Sequence, residues 1–294
     1  MFNALMKNET RFKWALVTPA IIVLAIFAIF PTIFALKVSF QSYVLSTPWP
    51  AKWIGFGNYR DLLIDPAFLS SLGRTFMFSA LAISIELTLG LAVALLLNRE
   101  FRAQGLVRGL CLLPVVTAPL AGGLIWRYMY DYNFGIMNYF VRSLGLEPIE
   151  WLSARTPAFF SVLIFDIWHW TPLVIFVLLA GLRGLPRDPF EAARVDGASA
   201  WFRFRTLTLP MLKPIIIIIG LLRLIRLLRF YDPLFALTRG GPGSATETVN
   251  WYIYKIGFKY FDMGFASAMA VFVMYLIIVI SAIVFKQLIN ALES

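Results

Sequence analysis

Residues 185–199 interrupt a series of long apolar runs with the polar sequence Leu-Pro-Arg-Asp-Pro-Phe-Glu-Ala-Ala-Arg-Val-Asp-Gly-Ala-Ser. Asp188 is a preferred N-cap residue, Pro189 would take the first helical position, and Glu191 stands three residues after the cap. Gly197 permits the left-handed conformation that ends a helix. The stretch therefore predicts a short helix with defined ends.

A second short helix is expected directly after the first. Ser199 can begin it, and it would run through Arg205. Pro210 and Pro214 are expected to mark the entry to the next apolar run. We predict an elbow over residues 188–210 that is too polar to cross a membrane and too well capped to be a mobile loop.

The apolar runs around this elbow exclude a soluble globular protein. Sixty per cent of the 294 residues are hydrophobic and 14% are charged, whereas soluble domains are about half apolar and a quarter charged. A helix needs roughly 20 apolar residues to cross about 30 Å of hydrocarbon. The chain is predicted to be an all-α integral membrane protein with one transmembrane domain over residues 1–294. The six expected spans are approximately 14–36, 75–97, 109–126, 156–182, 214–237 and 263–285.

Basic residues between the spans predict the orientation. With the N-terminus inside, Lys and Arg are about twice as dense in the inner segments as in the outer loops. Both termini are therefore expected to be cytoplasmic. The net charge of +10 is attributed to basic residues that set the orientation of the spans in the bilayer, and no nucleic-acid partner is expected.

Metal and nucleotide sites are not predicted in this chain. Cys111 and His169 are each the single residue of their type, so they form neither an intrachain disulfide nor a Cys/His metal site. The sequence has no G-x-x-x-x-G-K-[ST] loop. If ATP drives this protein, a partner must bind the ATP.

The polar elbow resembles the "EAA" loop of ATP-binding-cassette import permeases. Glu191-Ala192-Ala193, Gly197 and the run 207–210 stand at the spacing of that loop, although Leu207 replaces the family's usual Ile. The extension 196–199 resembles the carbohydrate-uptake, maltose-permease-like branch. Further segments resemble that branch in order: 55–59, 237–242, 246–248, 252–254 and 264–268.

This resemblance implies the type I importer permease fold, with six transmembrane helices and a coupling elbow between helices 4 and 5. It implies a multi-pass subunit of the bacterial cytoplasmic (inner) membrane that carries out no bond chemistry and has no cofactor of its own. The implied partners are a second homologous permease in a heterodimer, two ATPase subunits that bind ATP and Mg²⁺, and an extracytoplasmic substrate-binding protein. The implied ATPase-coupling residues are Asp188, Glu191, Ala192, Ala193, Asp196, Gly197 and Ala198.

A simpler interpretation of the elbow is an amphipathic helix on the lipid headgroups. Trp201, Phe202 and Phe204 would then lie in the lipid. The residue pattern alone leaves both interpretations open, and the resemblance favours the docking interpretation.

The fifth span carries Arg223, Arg226 and Arg229, followed by Asp232. Three mid-helix arginines cost about 8–10 kcal/mol on insertion scales, whereas the apolar residues contribute about −4 to −7 kcal/mol. The span must therefore face other helices or a wet cavity. Steps of three residues would place the guanidinium groups in one slanting stripe.

Two interpretations of this stripe stay open. The structural alternative is a set of ion pairs with Asp232, Glu86 or Asp166. The functional alternative is a cationic lining of the translocation path for an anionic sugar, such as a phosphorylated, sulfonated or uronic sugar, because a planar guanidinium suits such groups.

The fourth span offers a second candidate wall of the path. Asp166 and Trp170 are four residues apart and share a helix face, with His169 beside them. Aromatic faces stack on sugar rings and polar groups bind hydroxyls, but interhelical hydrogen bonding would explain the same residues. The predicted path residues are Asp166, His169, Trp170, Arg223, Arg226, Arg229 and Asp232.

The predicted function is that of a permease subunit for an ATP-driven, binding-protein-dependent importer of a sugar or sugar derivative. The alternative is an ion-coupled secondary transporter that uses Glu86, Asp166 and Asp232 as proton sites. An intramembrane enzyme is a weaker alternative, since the spans contain no paired set of catalytic ligands.

Overall fold

Helices make up most of the chain. The computed structural model describes residues 2–47 and 49–293, with side chains described for 12–47 and 49–289. Within these ranges the regular structure is fourteen α-helices, three π-helical stretches and two short strands. The α-helices are α1 Phe2–Leu24, α2 Phe30–Ser39, α3 Gly57–Ile64, α4 Pro66–Leu97, α5 Gln104–Val116, α6 Pro119–Met129, α7 Ile136–Ser143, α8 Arg155–Arg183, α9 Asp188–Val195, α10 Ala200–Arg203, α11 Leu209–Leu227, α12 Asp232–Leu237, α13 Val249–Tyr254 and α14 Met263–Glu293; the π-helical stretches are Ala25–Ile29, Phe204–Thr208 and Lys255–Lys259; the strands are β1 Gln41–Ser42 and β2 Lys52–Trp53.

Five helical runs of the described residues are long and apolar enough to cross a membrane, and a bent helix pair gives a sixth span if it counts as one. Four of them cover the predicted spans 14–36, 75–97, 156–182 and 263–285. The five runs are Phe12–Ser39, Pro66–Leu97, Arg155–Arg183, Ala200–Leu227 and Met263–Ile289.

The third predicted span, 109–126, is wrong as a single helix. It consists of α5 and α6, which are bent by 96°. Thr117 and Ala118 between them are extended, with ψ of 133° and 131°. The cause is Pro119, because a proline disfavours the helical conformation of the preceding residue and is well suited to begin a new helix.

The fifth predicted span, 214–237, has wrong bounds at both ends. Its helix is continuous with the second helix of the elbow, because the π-helical stretch Phe204–Thr208 joins α10 to α11. Pro210 and Pro214 therefore lie inside this run rather than before it. The helix ends at Leu227, and a new helix starts at Asp232 with Pro233 in its first turn, where the missing N–H breaks no hydrogen bond.

The contacts between residues divide the chain into two compact units. This division does not test the prediction of one domain, because two compact units can serve one function. The first unit is Met1–Asp65 with Ile253–Met274, and the second is Pro66–Tyr252 with Tyr275–Ser294.

In the first unit, the apolar run Phe12–Ser39 is followed by a small hairpin. β1 and β2 are antiparallel, with Gln41 opposite Trp53. The Asn58 Nδ2 donates hydrogen bonds to the carbonyls of Ser39 and Gln41, at 2.8 and 2.9 Å. These bonds fix the end of the first span to the start of α3. Only 6% of the most apolar window of Phe12–Ser39 is buried, so its surface is left for lipid or another subunit.

The core of the second unit lies between α4, α8 and α11. Gly90 of α4 lies so close to Val174 of α8 that an added Cβ would stand 2.7 Å from the Val174 Cγ1. Gly181 gives α8 a similar close approach to Ile215 of α11. The buried cluster there contains Ala94, Leu97, Val174, Ile175, Leu178, Leu179, Leu182, Leu212 and Ile219.

Candidate functional site

The predicted elbow is present, and its first helix is α9. This helix starts at Asp188, with Arg187 at the N-cap position and no side-chain cap hydrogen bond. The prediction that Asp188 is the N-cap is therefore wrong. Arg187 already has helical φ and ψ of −80° and −32°. Asp188 becomes the first helical residue, where its charge still complements the helix dipole.

The end of α9 and the start of α10 are as predicted. Gly197 has a φ of +73°, and the Ala198 N–H donates to the Ala193 carbonyl at 2.9 Å, which is the pairing of a glycine-stopped helix. The Ser199 Oγ accepts from the Phe202 N–H at 3.2 Å and caps α10. The Arg203 Nη1 also donates to the Ala198 carbonyl at 2.6 Å. The elbow is therefore held by several local bonds.

The elbow exposes most of its surface. No residue of α9 is buried, and the Val195 side chain is 88% exposed. An added Cβ at Gly197 would meet no atom within 4 Å. Of the predicted coupling residues, Asp188, Glu191, Ala192, Asp196 and Gly197 are exposed, and Ala193 and Ala198 are half-buried.

A charged groove lies beside the elbow. Its volume is about 830 Å³, and Glu191 lines it. The wall opposite α9 comes from the loop between α4 and α5 and from the end of α8. The charged residues of the lining are Glu100, Arg183, Arg187, Glu191 and Arg194.

In the second unit, a buried charge cluster joins α4, α8 and α11. The Arg223 Nε and Nη2 donate to the two carboxylate oxygens of Glu86, at 2.6 Å each. Nη2 also donates to Asp166 Oδ2 at 2.6 Å. All three side chains are buried. For Arg223 the structure therefore shows the ion pairs of the structural alternative, with Glu86 and Asp166 rather than Asp232.

Arg226 makes a different contact, one turn from Arg223. Its guanidinium carbon lies 3.7 Å from the centre of the Trp170 ring, which is a close cation–π contact. The Arg223 guanidinium is 5.2 Å from the same ring. Trp170 therefore links the buried cluster to an exposed arginine, and one of its faces is covered by Arg226.

The predicted stripe of three arginines on one helix is wrong. Arg229 lies in the turn after α11, because that helix ends at Leu227. Arg226 and Arg229 are exposed while Arg223 is buried. Within residues 12–47 and 49–289, no ion pair joins Arg226 or Arg229 to a carboxylate.

A cavity of about 560 Å³ lies beside Arg226 and Arg229. It brings together five of the seven predicted path residues, while Asp166 and Arg223 stay in the buried cluster behind it. His169 is buried in its wall, and neither ring nitrogen has a hydrogen-bond partner among the described residues. The lining is Val115, Pro119, His169, Trp170, Leu222, Ile225, Arg226, Arg229, Phe230, Tyr231, Asp232 and Pro233.

Some of this lining was not expected from the sequence. Val115 and Pro119 reach the cavity because the chain bends between α5 and α6. Phe230 and Tyr231 reach it because they lie between α11 and α12 rather than inside a long helix. Pro119 and Pro233 were the available signals for both breaks, since a proline favours the first turn of a new helix.

The family is decided by residues 86–293, which match the family described as the inner membrane component of binding-protein-dependent transport systems. The chain belongs to this family. It is therefore a multi-pass permease subunit of the inner membrane and not an enzyme, and the resemblance inferred from the elbow is confirmed. The membership gives no support to an ion-coupled secondary transporter.

Two relatives match nearly the full length of the permease. It is 34% identical over 282 residues to the trehalose/maltose transport system permease protein MalF of Thermococcus litoralis, covering 95% of this chain and 94% of that protein. It is 34% identical over 268 residues to the sulfoquinovosyl glycerol transport system permease protein SmoG of Agrobacterium fabrum, covering 91% and 87%.

A solved structure has the same fold as the permease. It is a bacterial ABC transporter involved in the import of the acidic polysaccharide alginate, with a TM-score of 0.83 and 21% sequence identity over 98% of this chain and 99% of that chain. The predicted type I importer permease fold is thereby confirmed.

Proposed function

We propose that this permease is one of two homologous membrane subunits of an ATP-driven importer for a sugar or sugar derivative. Two ATPase subunits bind ATP and Mg²⁺ on the cytoplasmic side, and an extracytoplasmic binding protein delivers the substrate. Both chain termini are cytoplasmic in this proposal. The higher density of Lys and Arg in the inner segments supports that orientation, and the relatives named for sugar transport support the substrate class.

The elbow is the observation that carries the proposal. Gly197 ends α9 and Ser199 caps α10, yet no residue of α9 is buried within the described chain. A rigid, exposed helix with small side chains lets another subunit approach closely. A membrane-surface helix would instead direct its apolar face to lipid, whereas Asp188, Glu191 and Arg194 leave α9 weakly apolar.

A continuous helix connects this elbow to the cavity. Ala200–Leu227 is one helical run of 28 residues, about 42 Å long at 1.5 Å per residue. Its first turn belongs to the elbow and is bonded to Ala198 and Ser199, which precede it. Its last turns carry Arg223 and Arg226. A movement of the elbow on ATP binding would therefore shift one wall of the cavity, which is how ATP closure would open the path.

Reconstitution of the complete importer in liposomes tests the proposal. A panel of labelled sugars that includes trehalose, maltose and a sulfonated sugar is offered on the binding-protein side, with ATP on the elbow side. Uptake of at least one sugar is expected to require ATP and the binding protein and to survive a protonophore. Uptake driven by a proton gradient without ATP would contradict the proposal, as would full uptake after mutation of the Walker lysine in both ATPase subunits.

A further inference from the structure

The cavity beside α11 carries more positive than negative charge. Arg226 and Arg229 line it together with a single carboxylate, that of Asp232. The other two carboxylates near this region, Glu86 and Asp166, are buried and bonded to Arg223. The buried cluster therefore keeps those carboxylates from neutralising the two exposed arginines by direct ion pairs.

The contact with Trp170 holds Arg226 in a position suited to bind an anion. Its guanidinium carbon is 3.7 Å from the ring centre. Among the described residues its N–H donors form no ion pair with a carboxylate, so they stay available for a bidentate pair with an oxyanion. The arginine is thus positioned before a ligand arrives, which reduces the entropy lost on binding.

Polar groups near the arginines can bind uncharged parts of a ligand. His169 is buried in the cavity wall, and both of its ring nitrogens lack a hydrogen-bond partner among the described residues. A neutral imidazole offers one donor and one acceptor, which is what a sugar hydroxyl needs. Asp232 adds an exposed acceptor to the lining of the cavity. The His169 side chain has no exposed surface, so its ring nitrogens reach a ligand only when the side chain rotates toward the cavity. A bound hydroxyl would then satisfy a buried polar group that is unfavourable without a partner.

We propose that this cavity is selective for an anionic sugar, whose sulfonate, phosphate or carboxylate group binds between Arg226 and Arg229 while its hydroxyls meet His169 and Asp232. This inference rests on the proposed function, since it assigns the substrate class to the importer's own path. The volume of about 560 Å³ lies within the usual range for small-molecule sites, about 300–1,000 Å³. Arg223 takes no direct part, because its bonds go to Glu86 and Asp166.

Equilibrium binding to the purified importer tests this selectivity. Titration calorimetry without ATP and without the binding protein would compare glucose with glucose 6-phosphate, glucose 6-sulfonate and glucuronate. At least one of the three anions is expected to bind about a hundredfold more tightly than glucose, because each of the two arginines adds a charge-assisted bond that is expected to contribute about tenfold. The anion that binds best identifies the acidic group.

Variants assign the preference to the two arginines. Arg226→Gln and Arg229→Gln are each expected to weaken anion binding about tenfold, and the double variant should lose the preference over glucose. Arg226→Lys should be intermediate, since it keeps the charge without the planar group. The matched control is Arg102→Gln, which removes an exposed arginine outside the cavity and should change nothing.

Three results would overturn the inference: no saturable binding of any of the three anions, glucose binding as tightly as all of them, or an unchanged preference in the double variant. Thermal unfolding of each variant, measured in parallel, separates lost contacts from lost folding. Binding needs no ATP, so the outcome is independent of the energy source. Tight binding of glucose alone would refute anion selectivity and leave ATP-driven sugar import intact.

Discussion

Replacement of Arg223 by methionine is expected to destabilise the importer. Arg223 donates three hydrogen bonds of 2.6 Å to Glu86 and Asp166, and all three side chains are buried. Removing the guanidinium leaves two carboxylates close together without a cation. Breaking a buried ion pair in this way costs about 3–5 kcal/mol. At roughly 2–4 °C per kcal/mol, the midpoint of thermal unfolding should fall by roughly 6–20 °C.

The assay is thermal unfolding of the complete importer in detergent, followed by intrinsic fluorescence and by size-exclusion chromatography. The triple variant Glu86→Met, Asp166→Leu and Arg223→Met should recover most of the loss, because apolar side chains can replace a buried ion network with little change in stability. Arg102→Met is the matched control for loss of an exposed arginine. The reasoning is refuted if Arg223→Met unfolds at the wild-type temperature, or if the triple variant is less stable than Arg223→Met alone.

Two further substitutions test the helix contacts. Gly90→Ala should destabilise the protein by about 1–3 kcal/mol, because its Cβ would stand 2.7 Å from the Val174 Cγ1. The control is Gly73→Ala in the same helix, which should be neutral or stabilising because an added Cβ there would meet no atom within 4 Å. Equal midpoints of thermal unfolding for the two variants would contradict the close packing. Ser199→Ala should remove a cap worth about 1 kcal/mol and speed amide hydrogen exchange in α10. Ser199→Asp keeps a capping side chain and should keep the exchange slow. Unchanged exchange in Ser199→Ala would show that the cap contributes nothing.

The spans and the elbow could be predicted because their signals are local. An apolar run of sufficient length is a property of neighbouring residues, and so are the caps of a short helix. Gly197 and Ser199 took the predicted roles. The N-cap moved by one residue from Asp188 to Arg187 because the backbone of Arg187 is already helical, and residue type alone does not fix that angle.

The breaks in the third and fifth spans show where the hydropathy pattern fails. Apolarity continues through Thr117 and Ala118, although Pro119 bends the chain there by 96°. Apolarity also continues past Leu227, although the helix ends there and α12 begins at Asp232. In both places the proline was visible in the sequence, but other prolines of this chain lie inside helices without breaking them, as Pro114 and Pro214 do.

The partners of the arginines could not be chosen from the sequence. Glu86 is 137 positions from Arg223, and Asp166 is 57 positions away. The cost of inserting three arginines into lipid showed that they need polar surroundings, but only the packing of α4, α8 and α11 decides which of them is buried. The positive charge of the cavity follows from this packing, because Arg223 binds the two buried carboxylates and Arg226 and Arg229 stay exposed.

The number of substrate molecules imported per ATP hydrolysed is the most direct measure of the claim that the elbow couples this permease to a motor. In the reconstituted importer, Gly197→Trp and Glu191→Ala should lower this ratio about tenfold or more, as expected for loss of a central docking contact, while capture by the binding protein is retained. Gly197→Asn tests backbone strain alone, and Gly145→Trp is a matched control, since Gly145 also has a positive φ and open space around it. A wild-type ratio in both elbow variants would contradict the account.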